Sequence, residues 1–129
     1  TDHDRTIIHG ASLSVRAGEV VGIAGLMGAG RTELAMSIFG RSYGSRITGK
    51  LYMHGKEVHA RTVPEAIRNG IAYATEDRKV YGLNLIEDIK RNISAAGLGK
   101  LAKRGWVDGG EEHIVAEGYR QSMNIKAPT

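Results

Sequence analysis

The sequence predicts an α/β fold from three features that follow one another along the chain. A short β-branched run, VVGIA (20–24), precedes a glycine-rich loop (25–30), and a helical pattern follows it. The alternating segments KLYM and KEVH flank His54 and Gly55, a pair typical of a hairpin turn. A second apolar run, GIAYAT (70–75), opens into a charged loop. Strands that alternate with helices indicate parallel core strands, with the hairpin as a separate antiparallel unit.

A local sequence pattern supports each element predicted in the first half of the chain. SLSV alternates and ends at the turn RAGE, and the run 20–24 is short and continuous, as in a buried strand. Segment 31–40 is predicted to be a helix, because apolar residues recur at helical spacing and Gly40 stands where a helix ends. A short helix is predicted to begin at Pro64 and to end at Gly70.

The second half carries weaker patterns. LIEDIKRNIS (85–94) predicts an amphipathic helix, and AAGLGKLAKRG (95–105) is typical of a mobile connection. A last helix is predicted within 108–125, with acidic residues in its first turn. The residues expected to pack are Ile86, Ile89 and Ile93 in the first of these helices and Ile114, Tyr119 and Met123 in the last.

Composition narrows the class of protein. The 129 residues include no cysteine, 41% hydrophobic residues and 25% charged residues, as in one globular domain. The lack of cysteine favours a reducing, cytosolic compartment. No apolar run reaches the ~18 residues of a transmembrane helix, and the polar start is unlike a signal peptide, so any membrane link is expected to go through partners. The formal charge of +4 is dispersed and aromatic residues are scarce, so no nucleic acid partner is expected.

The loop at 25–32 has the spacing of a phosphate-binding loop. Gly25 and Gly30 have four residues between them and are followed by Arg31 and Thr32, where the general pattern has lysine and then serine or threonine. Glycines let the backbone curl so that N–H groups point at phosphate oxygens, and the helix N-terminus adds partial positive charge. The glycine order differs from that of dinucleotide-binding domains. The predicted nucleotide-binding residues are Gly25, Gly28, Ala29, Gly30, Arg31, Thr32 and Glu33.

Two side chains depart from the pattern and predict weak binding. Arg31 replaces a compact lysine with a bulkier, planar guanidinium, which is expected to fit poorly inside the loop. Glu33 places a carboxylate in the first helical turn, where it repels phosphate by roughly a few kcal/mol at ~4–6 Å. The same glutamate also stabilises the helix through its dipole. Thr32 is expected to ligate Mg²⁺ through its hydroxyl.

Three segments together resemble one family. AGEVVGIAGLMGAGRTEL, GKLYMHGKEV and NGIAYATEDRKVYGL resemble the second, degenerate nucleotide-binding domain of the tandem ATP-binding subunits of bacterial sugar ABC importers, the ribose, galactose and xylose type. The resemblance implies an ABC-type P-loop NTPase fold. It assigns residues 1–85 to the phosphate-loop core with its β-hairpin subdomain, and residues 86–129 to the start of the helical subdomain. MNIKAPT is similar to the stretch before the signature motif, so the chain is expected to cover the first half of one domain.

The resemblance also implies roles for single residues. Segment 25–32 matches the Walker A loop, which binds ATP, and Glu76 falls where ABC domains have a glutamine that touches Mg²⁺ and water. Glu76 and Thr32 are therefore the expected metal ligands, while a solvated, self-paired charged loop at 76–79 stays an alternative. No aromatic residue precedes Gly25 to stack on adenine. No catalytic residue is expected, because the signature, the Walker B strand and the switch histidine are absent from the chain.

The function implied is ATP binding in an importer of a simple sugar. The parent protein is expected to hydrolyse ATP with Mg²⁺ at the cytoplasmic face of the inner membrane, whereas this chain alone is expected to be inactive. Its implied partners are the other nucleotide-binding domain of the tandem chain, membrane-spanning permease subunits and, indirectly, a periplasmic sugar-binding protein. Two alternatives stay open: a non-catalytic coupling and dimerisation half-domain that binds no nucleotide, and an unrelated phosphate-loop kinase.

Overall fold

The computed structural model describes residues 6–126 and divides the chain into two compact units, Thr1–Ala74 and Thr75–Thr129. The first unit contains α1 (Arg31–Ile38), β1 (Leu51–Met53), β2 (Lys56–Val58) and α2 (Val63–Arg68). The second unit contains a π-helical turn (Arg78–Gly82), α3 (Ile89–Ser94), a 3₁₀ turn (Ala95–Gly97), α4 (Leu98–Leu101), β3 (Ala102–Lys103), β4 (Trp106–Val107) and α5 (Gly109–Ser122).

The predicted hairpin is confirmed. Strands β1 and β2 pair in antiparallel register, with Leu51 opposite Val58 and Met53 opposite Lys56. The two turn residues between them both have left-handed backbones, with φ of 52° at His54 and 77° at Gly55. This is the requirement of a type I′ turn, whose twist matches that of the flanking strands.

Helix α1 is the helix predicted after the glycine-rich loop, and Gly40 follows its end as predicted. Gly40 is buried and has a left-handed φ of 70°. A Cβ atom at this position would lie 2.2 Å from the backbone nitrogen of Val63 and 2.5 Å from the carbonyl carbon of Thr62. Glycine is therefore required here, because the chain after α1 contacts the backbone at the start of α2.

Helix α2 is also confirmed and begins at Val63, one residue before the predicted start. Thr62 caps it, since its Oγ1 accepts a hydrogen bond from the Glu65 N–H at 3.4 Å. Glu65 Oε2 in turn accepts one from the Arg61 N–H at 2.7 Å. A threonine followed by glutamate three residues later is a known helix-start pattern, and Gly70, with φ of 81°, follows the helix.

The two predicted core strands are not strands in the described structure. Segments 20–24 and 70–75 form no strand pairing with described residues, and both sheets among residues 6–126 are two-stranded and antiparallel. Val20 is 96% exposed, so the predicted burial of the first segment is not found. A buried parallel strand takes its backbone hydrogen bonds from neighbouring strands, and residues 6–126 supply none. Tyr73 does contact Phe39 after α1, with ring centroids 5.7 Å apart.

Helix α3 is shorter than the helix predicted over 85–94. Asp88 is its N-cap, because the Asp88 Oδ1 accepts a hydrogen bond from the Arg91 N–H at 2.7 Å. A capping aspartate satisfies one of the amides that the first helical turn leaves unpaired. Ile86 therefore precedes the helix and is 91% exposed, so its predicted place on the packing face is wrong.

Segment 95–105, predicted to be a mobile connection, has regular structure. It forms the 3₁₀ turn, α4 and β3, and Lys103 of β3 pairs with Trp106 of β4. The turn residues Arg104 and Gly105 have φ of 54° and 86°. Arginine is uncommon in the left-handed region, which makes this second hairpin hard to predict from sequence.

Helix α5 packs on α3 through a buried polar cluster. Asp108 caps the helix, as its acidic start suggests. Glu112 is buried, with its Oε1 accepting a hydrogen bond from Ser94 Oγ at 2.6 Å and its Oε2 lying 2.8 Å from Lys90 Nζ. A buried carboxylate needs such partners. The predicted packing residues of this helix are exposed instead: Ile114, Tyr119 and Met123.

Acid should loosen the contact between α3 and α5. Lys90 and then Ser94, both on α3, hold the pKa of Glu112 below its ordinary 4.5. Within α5 itself, Arg120 and then Gln121 lower the pKa of Glu117 to about 2, so that carboxylate stabilises the helix rather than the contact. A carboxylate with a depressed folded-state pKa stabilises the fold above its unfolded-state pKa, and this stability is lost as the pH falls through the folded value. Helix content measured by circular dichroism should therefore fall between pH 4.5 and about pH 2.

The variant Glu112→Gln isolates the contribution of the buried carboxylate. It should melt at a lower temperature than the native chain at pH 7 and should show a smaller change of melting temperature between pH 7 and pH 3. Glu57→Gln, in β2 of the first unit, is the matched control and should leave the acid sensitivity of the second unit unchanged. An unaltered pH dependence in Glu112→Gln would contradict the role of this cluster.

Candidate functional site

The glycine-rich loop leads directly into α1. The Ala29 N–H donates a hydrogen bond to the Leu26 carbonyl oxygen at 3.1 Å, closing a turn whose third residue, Gly28, has φ of 77°. A positive φ at the third position is the mark of a type II turn and favours glycine. Gly30 also has a left-handed backbone, with φ of 83°, and its carbonyl accepts the first helical hydrogen bond, from the Leu34 N–H at 2.8 Å.

Two isoleucines, Ile7 and Ile8, pack on Gly30 at the end of the loop. A Cβ atom on Gly30 would lie 2.9 Å from Ile8 Cδ1 and 3.2 Å from Ile7 Cγ2. Gly30 is buried, unlike the rest of the loop. This contact is not predictable from local pattern, since the only signal is an apolar pair in a polar stretch. A side chain at position 30 would collide with both isoleucines.

The side chain of Arg31 turns back over the loop. Its Nη2 donates a hydrogen bond to the Leu26 carbonyl oxygen at 3.4 Å. A Cβ atom on Gly25 would lie 3.7 Å from Arg31 Cδ, 3.8 Å from Arg31 Nε and 3.0 Å from the Cβ of Ala29. The guanidinium thus lies against the first half of the loop, and the small size of Gly25 makes room for it.

Within residues 25–31, only the Ala29 amide donates to a described acceptor, the carbonyl of the turn. Of the unpaired amides, the three nearest to α1 belong to Gly28, Gly30 and Arg31. The last two lie at the N-terminus of α1, where the helix dipole adds partial positive charge. Unpaired amides at a helix N-terminus after a glycine-rich loop form a site for an anion such as phosphate.

Thr32 and Glu33 lie in the first turn of α1, and both are partly buried. A carboxylate in the first turn interacts favourably with the helix dipole. Its charge also opposes an anionic ligand held by the amides of Gly30 and Arg31. The helix start therefore combines a feature that binds anions with one that weakens their binding.

The two predicted metal ligands belong to different units. Thr32 lies in the first unit, and Glu76 lies in the second, where it is exposed and precedes Asp77. Asp77 has a role of its own, since its Oδ1 accepts hydrogen bonds from the N–H groups of Lys79 and Val80, both at 3.1 Å. No group of three or more possible ligand side chains is arranged for a metal ion in the described part of the chain. A Mg²⁺ ion at Thr32 would therefore take most of its oxygens from phosphate and water.

A glycine-rich loop that leads directly into the N-terminus of a helix is the local arrangement of a phosphate-binding loop. The family model described as ABC transporter matches residues 8–126. The chain therefore belongs to the ABC transporter family, which sets aside the alternative of an unrelated kinase.

Curated relatives match this chain over nearly its whole length. It is 52% identical to the L-arabinose transport ATP-binding protein AraG of Geobacillus stearothermophilus, over 98% of this chain and 25% of the relative. It is 43% identical to the xylose import ATP-binding protein XylG of Thermoanaerobacter pseudethanolicus, over 99% of this chain and 26% of the relative. It is 42% identical to the ribose import ATP-binding protein RbsA of Geobacillus kaustophilus, over 94% of this chain and 24% of the relative.

The chain spans about a quarter of the length of these relatives. No solved structure matches it. Among residues 6–126, no helix combines the length and the apolar character needed to cross a bilayer.

Proposed function

We propose that this chain is the phosphate-binding part of the second nucleotide-binding domain in the ATP-binding subunit of a sugar importer, and that it binds Mg-ATP weakly. The observation that carries the proposal is the set of unpaired amides of Gly28, Gly30 and Arg31 at the start of α1. The relatives support it, because their names combine ATP binding with the transport of arabinose, xylose or ribose.

Different groups of the loop are proposed to contact the phosphates and the Mg²⁺ of Mg-ATP. The amides of Gly28, Gly30 and Arg31 bind phosphate oxygens, and the Thr32 hydroxyl ligates Mg²⁺. Glu76, the second metal ligand expected from the resemblance, stays a prediction. The Ala29 N–H can bind a phosphate oxygen only if it gives up its hydrogen bond to the Leu26 carbonyl. The loss of that bond lowers the affinity for ATP. Gly25 has no side chain, which leaves room for the loop to close around the ligand.

The remaining assignments follow from the same proposal. Residues 1–85 form the phosphate-loop core and residues 86–129 begin the helical subdomain. Segments 20–24 and 70–75 become parallel core strands when neighbouring strands of a whole domain supply their hydrogen bonds. The partners are the other nucleotide-binding domain, the permease subunits and, indirectly, a sugar-binding protein, at the cytoplasmic face of the inner membrane. The sugar is a simple one.

A second candidate function is a coupling and dimerisation segment without nucleotide binding. The position of Arg31 favours it, since the guanidinium is engaged with the Leu26 carbonyl rather than extended from the loop. Glu33 favours it as well, because its charge opposes a phosphate at the helix start.

A calorimetric titration with Mg-ATP separates the two candidates. The first predicts saturation at a micromolar to millimolar concentration and about tenfold weaker binding by Thr32→Ala, which removes the metal-binding hydroxyl. Ser37→Ala is the matched control, because it removes a hydroxyl from the same helix that donates to the Leu34 carbonyl at 2.7 Å. The absence of a heat of binding in the native chain would support the coupling segment and would contradict the first candidate.

The chain should not hydrolyse ATP by itself. Phosphoryl transfer requires a phosphate-binding loop, Mg²⁺ and a positioned attacking water, and the residues proposed here supply only the loop and contacts to Mg²⁺. Phosphate release from Mg-ATP should equal the blank without protein. Turnover above that blank, abolished in Thr32→Ala, would contradict this expectation.

A further inference from the structure

The second hairpin exposes a tryptophan. Trp106 in β4 is 83% exposed, and it is the only tryptophan of the chain. Tryptophan side chains are highly buried on average in folded proteins. Leu98 in α4 and Val107 in β4 are also exposed. The segment 98–107, here called the Trp106 hairpin, therefore presents apolar surface to its surroundings.

Basic side chains accompany this surface. Residues 95–107 contain Lys100, Lys103 and Arg104 and no acidic residue. Lys103 lies directly opposite Trp106 in the strand pair, so the two side chains share one face. Lys103 also pairs with Glu111 at 2.5 Å. Lys100 and Arg104 make no ion pair with another described residue, and Arg104 is at the tip of the turn.

We propose that the Trp106 hairpin binds directly to an anionic lipid surface. Tryptophan is favoured at the level of lipid headgroups, where its ring is partly buried and its N–H meets polar groups. Each lysine or arginine near an anionic bilayer strengthens binding about fivefold. Nucleic acid fits less well, because one aromatic residue makes no platform for successive bases. This proposal departs from the sequence expectation that any membrane link goes through partners.

Fluorescence tests the proposal on this chain without an added probe. Because Trp106 is the only tryptophan, its emission reports on the hairpin alone. Vesicles of phosphatidylglycerol and phosphatidylcholine should shift the emission to shorter wavelength, and ~1 M salt should largely reverse the shift by screening. Vesicles of phosphatidylcholine alone should give little or no shift.

Two pairs of substitutions distinguish lipid binding by this hairpin from nonspecific attraction by positive charge elsewhere on the chain. Lys100→Gln with Arg104→Gln should weaken vesicle binding about 25-fold, from two contributions of about fivefold each. Lys50→Gln with Lys56→Gln, beside and within the other hairpin, changes the net charge equally and should leave binding unchanged. Gly105→Val keeps Trp106 and all charges but disfavours the left-handed turn at φ of 86°, so it should also weaken binding, as measured by sedimentation with vesicles.

Four results would overturn the proposal: no emission shift with anionic vesicles, an equal shift with phosphatidylcholine alone, an equal loss of binding in both charge pairs, or native binding in Gly105→Val. A shift with a single-stranded oligonucleotide but not with vesicles would overturn it in favour of a nucleic acid partner. Circular dichroism of each variant confirms that the helices are retained.

Discussion

Mg-ATP should bind the double variant Arg31→Lys with Glu33→Ser about 10- to 100-fold more tightly than the native chain. The lysine removes the guanidinium that lies over Gly25 and donates to the Leu26 carbonyl. It also offers a compact charge that reaches between the terminal phosphates. The serine removes a negative charge from the first turn of α1. Isothermal calorimetry gives the two dissociation constants under the same conditions.

The matched control for this gain in affinity is a pair of substitutions in α2. Glu65→Ser with Arg68→Lys makes the same exchanges in the first and last turns of that helix and changes the net charge equally. It should leave the affinity for Mg-ATP unchanged. Equal or weaker binding by the loop variant would show that Arg31 and Glu33 do not limit affinity.

Gly40→Ala should destabilise the first unit by about 3 kcal/mol, from a left-handed backbone costing about 1–2 kcal/mol and a displaced backbone contact costing about 1–3 kcal/mol. The added Cβ would lie 2.2 Å from the Val63 backbone nitrogen, so the end of α1 or the start of α2 must move. A loss of this size lowers the melting temperature by roughly 10–20 °C in a unit of this length.

Gly22→Ala is the control for this substitution. An added Cβ at Gly22 meets no atom within 4 Å, and its φ is not left-handed. The variant should be unchanged or about 0.4–1 kcal/mol more stable, because alanine restricts the unfolded chain. Thermal melts that place both variants close to the native chain would contradict the role of Gly40 between the two helices.

Elements with strong local signals are predictable from this sequence. His54 and Gly55 specify a type I′ turn, Thr62 and Glu65 specify a helix start, and Gly40 marks a helix end. Each depends on backbone preferences and on hydrogen bonds between residues a few positions apart. Such preferences act before any tertiary contact forms, so the hairpin and the first two helices lie within one or two residues of their expected bounds.

Features that depend on distant residues are not predictable in the same way. An apolar run such as 20–24 is a strand only when neighbours pair with it, and residues 6–126 provide none. The buried place of Glu112 depends on Lys90 and Ser94 of another helix, so a helical pattern assigns packing to Ile114 instead. Within the candidate site, the spacing of the glycines identifies the loop. The packing of Ile7 and Ile8 on Gly30 joins residues more than 20 positions apart, so no local pattern predicts it.

The central claim is that the backbone amides before and at the start of α1 bind the phosphates of ATP. Two-dimensional ¹H–¹⁵N NMR of the native chain, titrated with Mg-ATP, tests it most directly. The amide signals of Gly28, Gly30 and Arg31 should move together and saturate at one dissociation constant, while those of α5 stay in place. Unmoved signals at these three residues up to about 10 mM Mg-ATP, well above the weakest affinity of interest, would contradict the claim, as would larger shifts in α5.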